Sequence, residues 1–234
     1  MSSASLVILY VFASLATVSL LLPIWAGVTG RQELDAARRW FLGYLLLELL
    51  LEVISLILGR FRINNHIVAH LGVPVETALV LLAFAAWQVD AGARRLFSIL
   101  APLAACFWVP LLLGWEAPNK FSIGLESMQA VLCLAAATYT VVRRAIASAG
   151  LPQEEGWFWV GGGVMLYMGT WAMMNPLNHY LVERAPEVAV AVLTVRAGAQ
   201  VGANLLYYRG MRCPISPSSS GSSIPPQPRW RAFS

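Results

Sequence analysis

Lysine is almost missing from this chain, for Lys120 is the only one among 234 residues. No hydrophobic run therefore carries the amine that a retinal Schiff base requires, and seven-helix retinal proteins are excluded. Cysteine is scarce as well. Cys106, Cys133 and Cys213 stand far apart, two of them inside apolar runs, so neither a disulfide framework nor a CxxC metal pair can be built. Charge is in the shortest supply: charged residues make up 12% of the chain and hydrophobic residues 58%, with mean hydropathy +0.66. Soluble domains carry about 25% charged residues, so an ordinary soluble domain is excluded. The opening segment, MSSASLVILYVF, lacks a basic n-region and a small-residue cleavage site, so the first apolar run is expected to be kept as a helix.

What is present is a succession of apolar runs of roughly 20 residues, the length a helix needs to cross a bilayer. Seven are predicted, at about 5–28, 38–59, 65–89, 95–115, 121–144, 157–178 and 186–208. The fold class expected is an all-α, polytopic integral membrane bundle of seven transmembrane helices over residues 1–212. Residues 213–234, rich in Ser and Pro, read as a disordered cytoplasmic tail. Basic residues divide unevenly between the two sets of connections. Arg31, Arg38, Arg39, Arg94, Arg95, Arg143, Arg144, Arg209, Arg212, Arg229 and Arg231 fall on one side, and Arg60, Arg62, Lys120 and Arg184 on the other. The positive-inside rule then places the N-terminus outside and the C-terminus in the cytoplasm. The formal charge of +4 comes from these arginine-rich connections and not from one basic face, so no nucleic-acid partner is implied. Pro74, Pro102 and Pro110 are expected to kink their helices, and Gly161, Gly162 and Gly163 to let helices approach closely.

Ionisable groups inside the predicted spans are the informative feature, because each costs several kcal/mol in lipid unless it faces a partner or a wet cavity. Glu48 and Glu52 are four residues apart, and Tyr44 and Ser55 extend the same helical stripe. Glu76 lies near the middle of the third span. Glu126 heads a stripe with Gln129 and Cys133, and Arg196 heads one with Gln200 and Asn204. Two readings stay open: a polar pocket ringed by the second, third, fifth and seventh helices, or a buried ion-pair network holding the bundle together. Four carboxyls against one arginine favour the pocket, with Arg196 expected beside at least one carboxylate. His70 and His179 form the one obvious histidine pair; the sequence assigns no metal and no cofactor. The seventh span lacks the histidines with which membrane hydrolases of the alkaline-ceramidase and adiponectin-receptor type hold zinc.

Residues 64–76, NNHIVAHLGVPVE, read Asn64-Asn65, four residues, His70, three residues, Pro74, one residue, Glu76. This pattern resembles that of a group of uncharacterised bacterial seven-helix membrane proteins, in which an Asn-Asn turn precedes a helix carrying His and Pro-x-Glu. The resemblance implies a multi-pass protein of the bacterial inner membrane and marks His70, Pro74 and Glu76. It brings no reaction with it. The function expected is the binding or moving of a small or lipid-like ligand in an intramembrane pocket lined by Glu48, Glu52, His70, Glu76, Glu126, Arg196 and Gln200. One alternative is a membrane-embedded enzyme on a lipid or isoprenoid, with Glu76 as general acid. The other is an accessory subunit of a larger membrane complex. The partners expected are the lipid bilayer, such a ligand, and either further copies of the chain or a larger assembly.

Overall fold

A computed structural model of the chain describes residues 3–61, 63–114, 124–148 and 150–214, and these fold into seven long helices and two short 3-10 turns, with no strand among the described residues. The helices are α1 (Ser3–Thr29), α2 (Ala36–Arg60), α3 (His66–Trp87), α4 (Ala91–Gly114), α5 (Gly124–Ala147), α6 (Gly156–Arg184) and α7 (Pro186–Arg212). Five of them, α1, α2, α3, α5 and α7, are long and apolar enough to cross a membrane. α6 is not among these five, because glycine, tryptophan, tyrosine and asparagine dilute its aliphatic content. α4 is also outside the set. Large apolar side chains are exposed on every helix, among them Leu22, Leu50, Leu71, Phe107, Val131, Met173 and Val195. A continuous apolar exterior of this kind is suited to lipid and not to water.

Aspartates begin α2 and α4. The Asp35 carboxylate caps α2 by accepting from the Arg38 backbone N–H at 2.7 Å, and Asp90 does the same for Gly92 and Ala93 at 3.2 and 3.3 Å. The Asp90 cap moves the start of α4 to Ala91, ahead of the predicted residue 95, and brings Arg94 into the helix. In the Asn-Asn turn, Asn64 Oδ1 accepts from the His66 N–H at 2.9 Å while Asn65 Nδ2 donates to the Ser55 carbonyl at 3.4 Å. That half of the motif shapes a turn. α6 runs through Pro176 to Arg184, six residues beyond its predicted end. Pro74 sits inside α3, and Pro102 and Pro110 inside α4. Lys120 and the segment 215–234, which carry part of the topology argument and most of the expected tail, lie outside the described residues.

The helices close into a ring. α1 packs on α2 and α7, α2 on α3, α3 on α5, α5 on α6, and α6 on α7, while α4 leans against the outside of α3. Of the three successive glycines, Gly161 leaves room for Val141 of α5 and Gly163 for Tyr207 of α7, but nothing stands near Gly162. A methyl group on Gly210 would meet the Gly156 carbonyl oxygen at 3.0 Å, so the backbones of α6 and α7 touch there. Asn204 of α7, only 2% exposed, donates to the Ala16 carbonyl and the Ser19 hydroxyl of α1 at 3.2 and 2.9 Å, closing the ring between its first and last helices.

One half of the ring is solid. Phe41, Leu45, Val80, Leu81, Phe84, Ala137, Val160, Val164 and Tyr207 are all buried there, with the Phe41 and Tyr207 rings packed edge to face at 4.8 Å. Polar bonds seal the same end. Gln88 donates to the Thr140 hydroxyl at 2.6 Å, and Arg144 to the Trp87 carbonyl at 2.6 Å.

Candidate functional site

The other half of the ring is hollow. A cavity of about 210 Å³ lies between the middle of the bundle and the end that carries the α2–α3 and α6–α7 turns. α2 contributes Tyr44, Glu48, Leu51, Glu52 and Ser55; α3 contributes Val73 and Glu76; α5 contributes Glu126 and Gln129; α6 contributes Tyr167, Met168 and Trp171; α7 contributes Arg196. The polar stripe read along α2 therefore faces inward as a unit, because its spacing repeats the helical period.

The carboxyls are organised. Glu76 is held from α5 by Gln129, whose Nε2 donates to Glu76 Oε2 at 3.2 Å and also reaches the Val73 carbonyl at 3.4 Å. On its other side Glu76 neighbours Glu48 of α2, which lines the same cavity. Glu52 and Ser55 line the wall nearer the α2–α3 turn, and Glu126 is almost fully buried at 6% exposure. Tyr44 forms part of the floor. It is 2% exposed, and its hydroxyl has no hydrogen-bond partner among the described residues.

Arg196 reaches this cavity but does not pair as expected. Its guanidinium carbon stands 3.0 Å from the centre of the Trp171 ring, and among the described residues no carboxylate is close enough for an ion pair. Glu126, Glu48 and Glu52 remain within coulombic range of its charge. The preference for the ring has a physical reason. A guanidinium is planar and weakly hydrated, so an aromatic face inside a low-dielectric ring attracts it without fixing it to one acid. Tyr167 stands one turn before Trp171, with ring centres 6.1 Å apart, and completes an aromatic wall.

Glu48, Glu52, Glu76, Glu126 and Arg196 thus come together around one space. His70 and Gln200 do not line it. His70 is buried at 1% exposure elsewhere on α3, and Gln200 is partly buried on α7. The stripe headed by Arg196 is split between two neighbours, since Asn204 turns toward α1. Cys133, at the foot of the α5 stripe, belongs to the solid core. The side chain of His179 lies outside the described residues, and so does any pairing with His70. The sequence reading missed the contribution of α6. Tyr167 and Trp171, aromatic residues at i and i+4 on a glycine-rich helix, were the available signal.

Comparison with protein-family models, with curated proteins and with solved structures gives no match.

Proposed function

We propose that this chain is a multi-pass membrane protein that binds or moves a small or lipid-like ligand in the acidic cavity between α2, α3, α5, α6 and α7. The observation that carries the reading is the contrast between the two halves of the ring: five helices line a hollow at one end, and aromatic and aliphatic side chains fill the other. A blind cavity suits capture and release at one face. A structural ion-pair network would instead draw Arg196 onto a carboxylate and leave no space. All seven helices are proposed to span a bacterial inner membrane, with the N-terminus outside, so that the cavity opens toward the outer leaflet. The test is ligand-dependent thermal stabilisation of the protein in lipid nanodiscs, screened against small polar and lipid-like compounds. A stabilising compound whose effect disappears in Ser55→Trp, which fills the cavity, supports the reading. Stabilisation that survives the filling places the ligand elsewhere and defeats it.

A membrane-embedded enzyme is favoured by one feature, the Glu48–Glu76 pair. Two neighbouring carboxyls on one cavity wall can offer a proton donor beside a carboxylate that stabilises developing positive charge. Turnover of a lipid or isoprenoid that stops in Glu76→Gln would move the protein into that class.

A further inference from the structure

We infer that the cavity takes a small organic cation, a protonated amine or quaternary ammonium, and that the Arg196 guanidinium is a tethered stand-in for it. The inference rests on the ligand-binding reading above and names the chemical class of the ligand.

Glu48, Glu52 and Glu76 share the cavity with one guanidinium, so its wall holds more carboxyls than cations. The manner in which Arg196 is held shows which kind of cation fits. Its charge rests on the face of Trp171, with the acids around it in coulombic range and none in ion-pair contact. An aromatic face plus a diffuse ring of carboxyls is how proteins hold ammonium groups whose charge is spread over alkyl substituents. A compact metal ion needs a different arrangement, with several ligands converging on one point. Among the described residues no three of His, Cys, Asp and Glu converge in that way. The space is of the right order, since about 210 Å³ exceeds the roughly 150 Å³ of an apolar cavity that takes benzene.

A second observation points to a ligand independently of the acids. Tyr44 is 98% buried, on its 2% exposure, and its hydroxyl faces the cavity with no partner among the described residues. The hydroxyl opens on the cavity and is not sealed against protein, so it is available to a group that arrives there. A hydroxyl or N–H beside the charged head of an amine would supply that bond. Because Arg196 occupies the aromatic face that the incoming cation would use, the two compete. Entry of the ligand requires the guanidinium to move off Trp171.

The experiment is calorimetric titration of the full chain in nanodiscs at low ionic strength. The probes are choline and benzyltrimethylammonium, each measured against its uncharged isostere in which carbon replaces nitrogen. The cations are expected to bind at least about tenfold more tightly than their isosteres. Arg196→Gln, which removes the competitor, should tighten choline binding several-fold, and Trp171→Leu should weaken it. Equal affinity for cation and isostere overturns the cation assignment and leaves the ligand-binding reading standing. Binding of neither class also overturns it, while the thermal-stability screen judges the wider reading separately. Cation-selective binding that ignores both Arg196→Gln and Trp171→Leu overturns the role given to Arg196.

Discussion

Tyr44 and Glu76 differ in how they are held, and the difference sets what their removal should do. The Tyr44 hydroxyl faces the cavity without a partner among the described residues, so Tyr44→Phe removes no protein hydrogen bond. Stability is expected to change by less than about 1 kcal/mol, in either direction, while ligand affinity falls several-fold. Chemical or thermal denaturation beside a binding titration checks both. A large loss of stability would mean that the hydroxyl has a structural role. Glu76 is bonded by Gln129 and neighbours Glu48, and among the described residues it is not tied to Arg196. Glu76→Gln keeps its shape and its capacity to bond both neighbours. It is therefore expected to fold with a stability change of about 1 kcal/mol and to lose ligand binding, because it removes a charge that no arginine needs. A loss of about 3–5 kcal/mol would show instead that Glu76 compensates a buried cation. A stable Glu76→Gln protein with full ligand affinity would remove Glu76 from the site altogether.

Among the elements, α6 depends most on what it lacks. A methyl group at Gly210 of α7 meets backbone atoms of α6, the Gly156 oxygen at 3.0 Å and the Val160 nitrogen at 3.1 Å, whereas at Gly162 it meets nothing. Gly210→Ala should therefore force the helices apart and cost about 1–3 kcal/mol. Gly162→Ala should be neutral or slightly stabilising, since alanine favours a helix over glycine by roughly 1 kcal/mol. Reversible unfolding in mixed micelles distinguishes the two variants. The same helix shows why part of the architecture was legible in the sequence and part was not. Apolar run length gave seven helices to within a few residues, except where a cap or a proline-tolerant extension moved an end, as at Asp90 and Pro176. The inward faces of α2 and α5 were readable because Glu48, Glu52, Glu126 and Gln129 repeat at helical spacing. α6 carries no charged residue in its central turns, so the i, i+4 spacing of Tyr167 and Trp171 was its one mark, and aromatic residues at that spacing suit a core equally well. The exclusion of His70 and Gln200 depends on helix rotation within the ring, which periodicity along one helix does not determine.

At the scale of the whole molecule, the hollow half and the solid half make the protein polar along its axis. In the orientation proposed above, Ser55 lines the cavity on the side of the outer leaflet. In a background without Cys106, Cys133 and Cys213, Ser55→Cys is expected to react with a membrane-impermeant cationic thiol reagent added outside intact cells. A cysteine placed beside Arg212 should react only after the membrane is breached. The reverse pattern would invert the proposed topology. Prior addition of a bound cation should slow labelling of Ser55→Cys, linking access to occupancy.

The ring is closed by residues from its two extremes. Asn204 bonds the backbone of α1 188 residues before it, and Arg38 at the start of α2 donates to the Cys213 carbonyl 175 residues later. During synthesis, therefore, α1 and α2 wait with their inner faces uncovered while the other helices are made, and closure comes only when α7 arrives. Until then the cavity that Glu48, Glu52 and Glu76 line lacks the wall that α7 supplies through Arg196. Competence of the site thereby depends on the docking of α7 against α1.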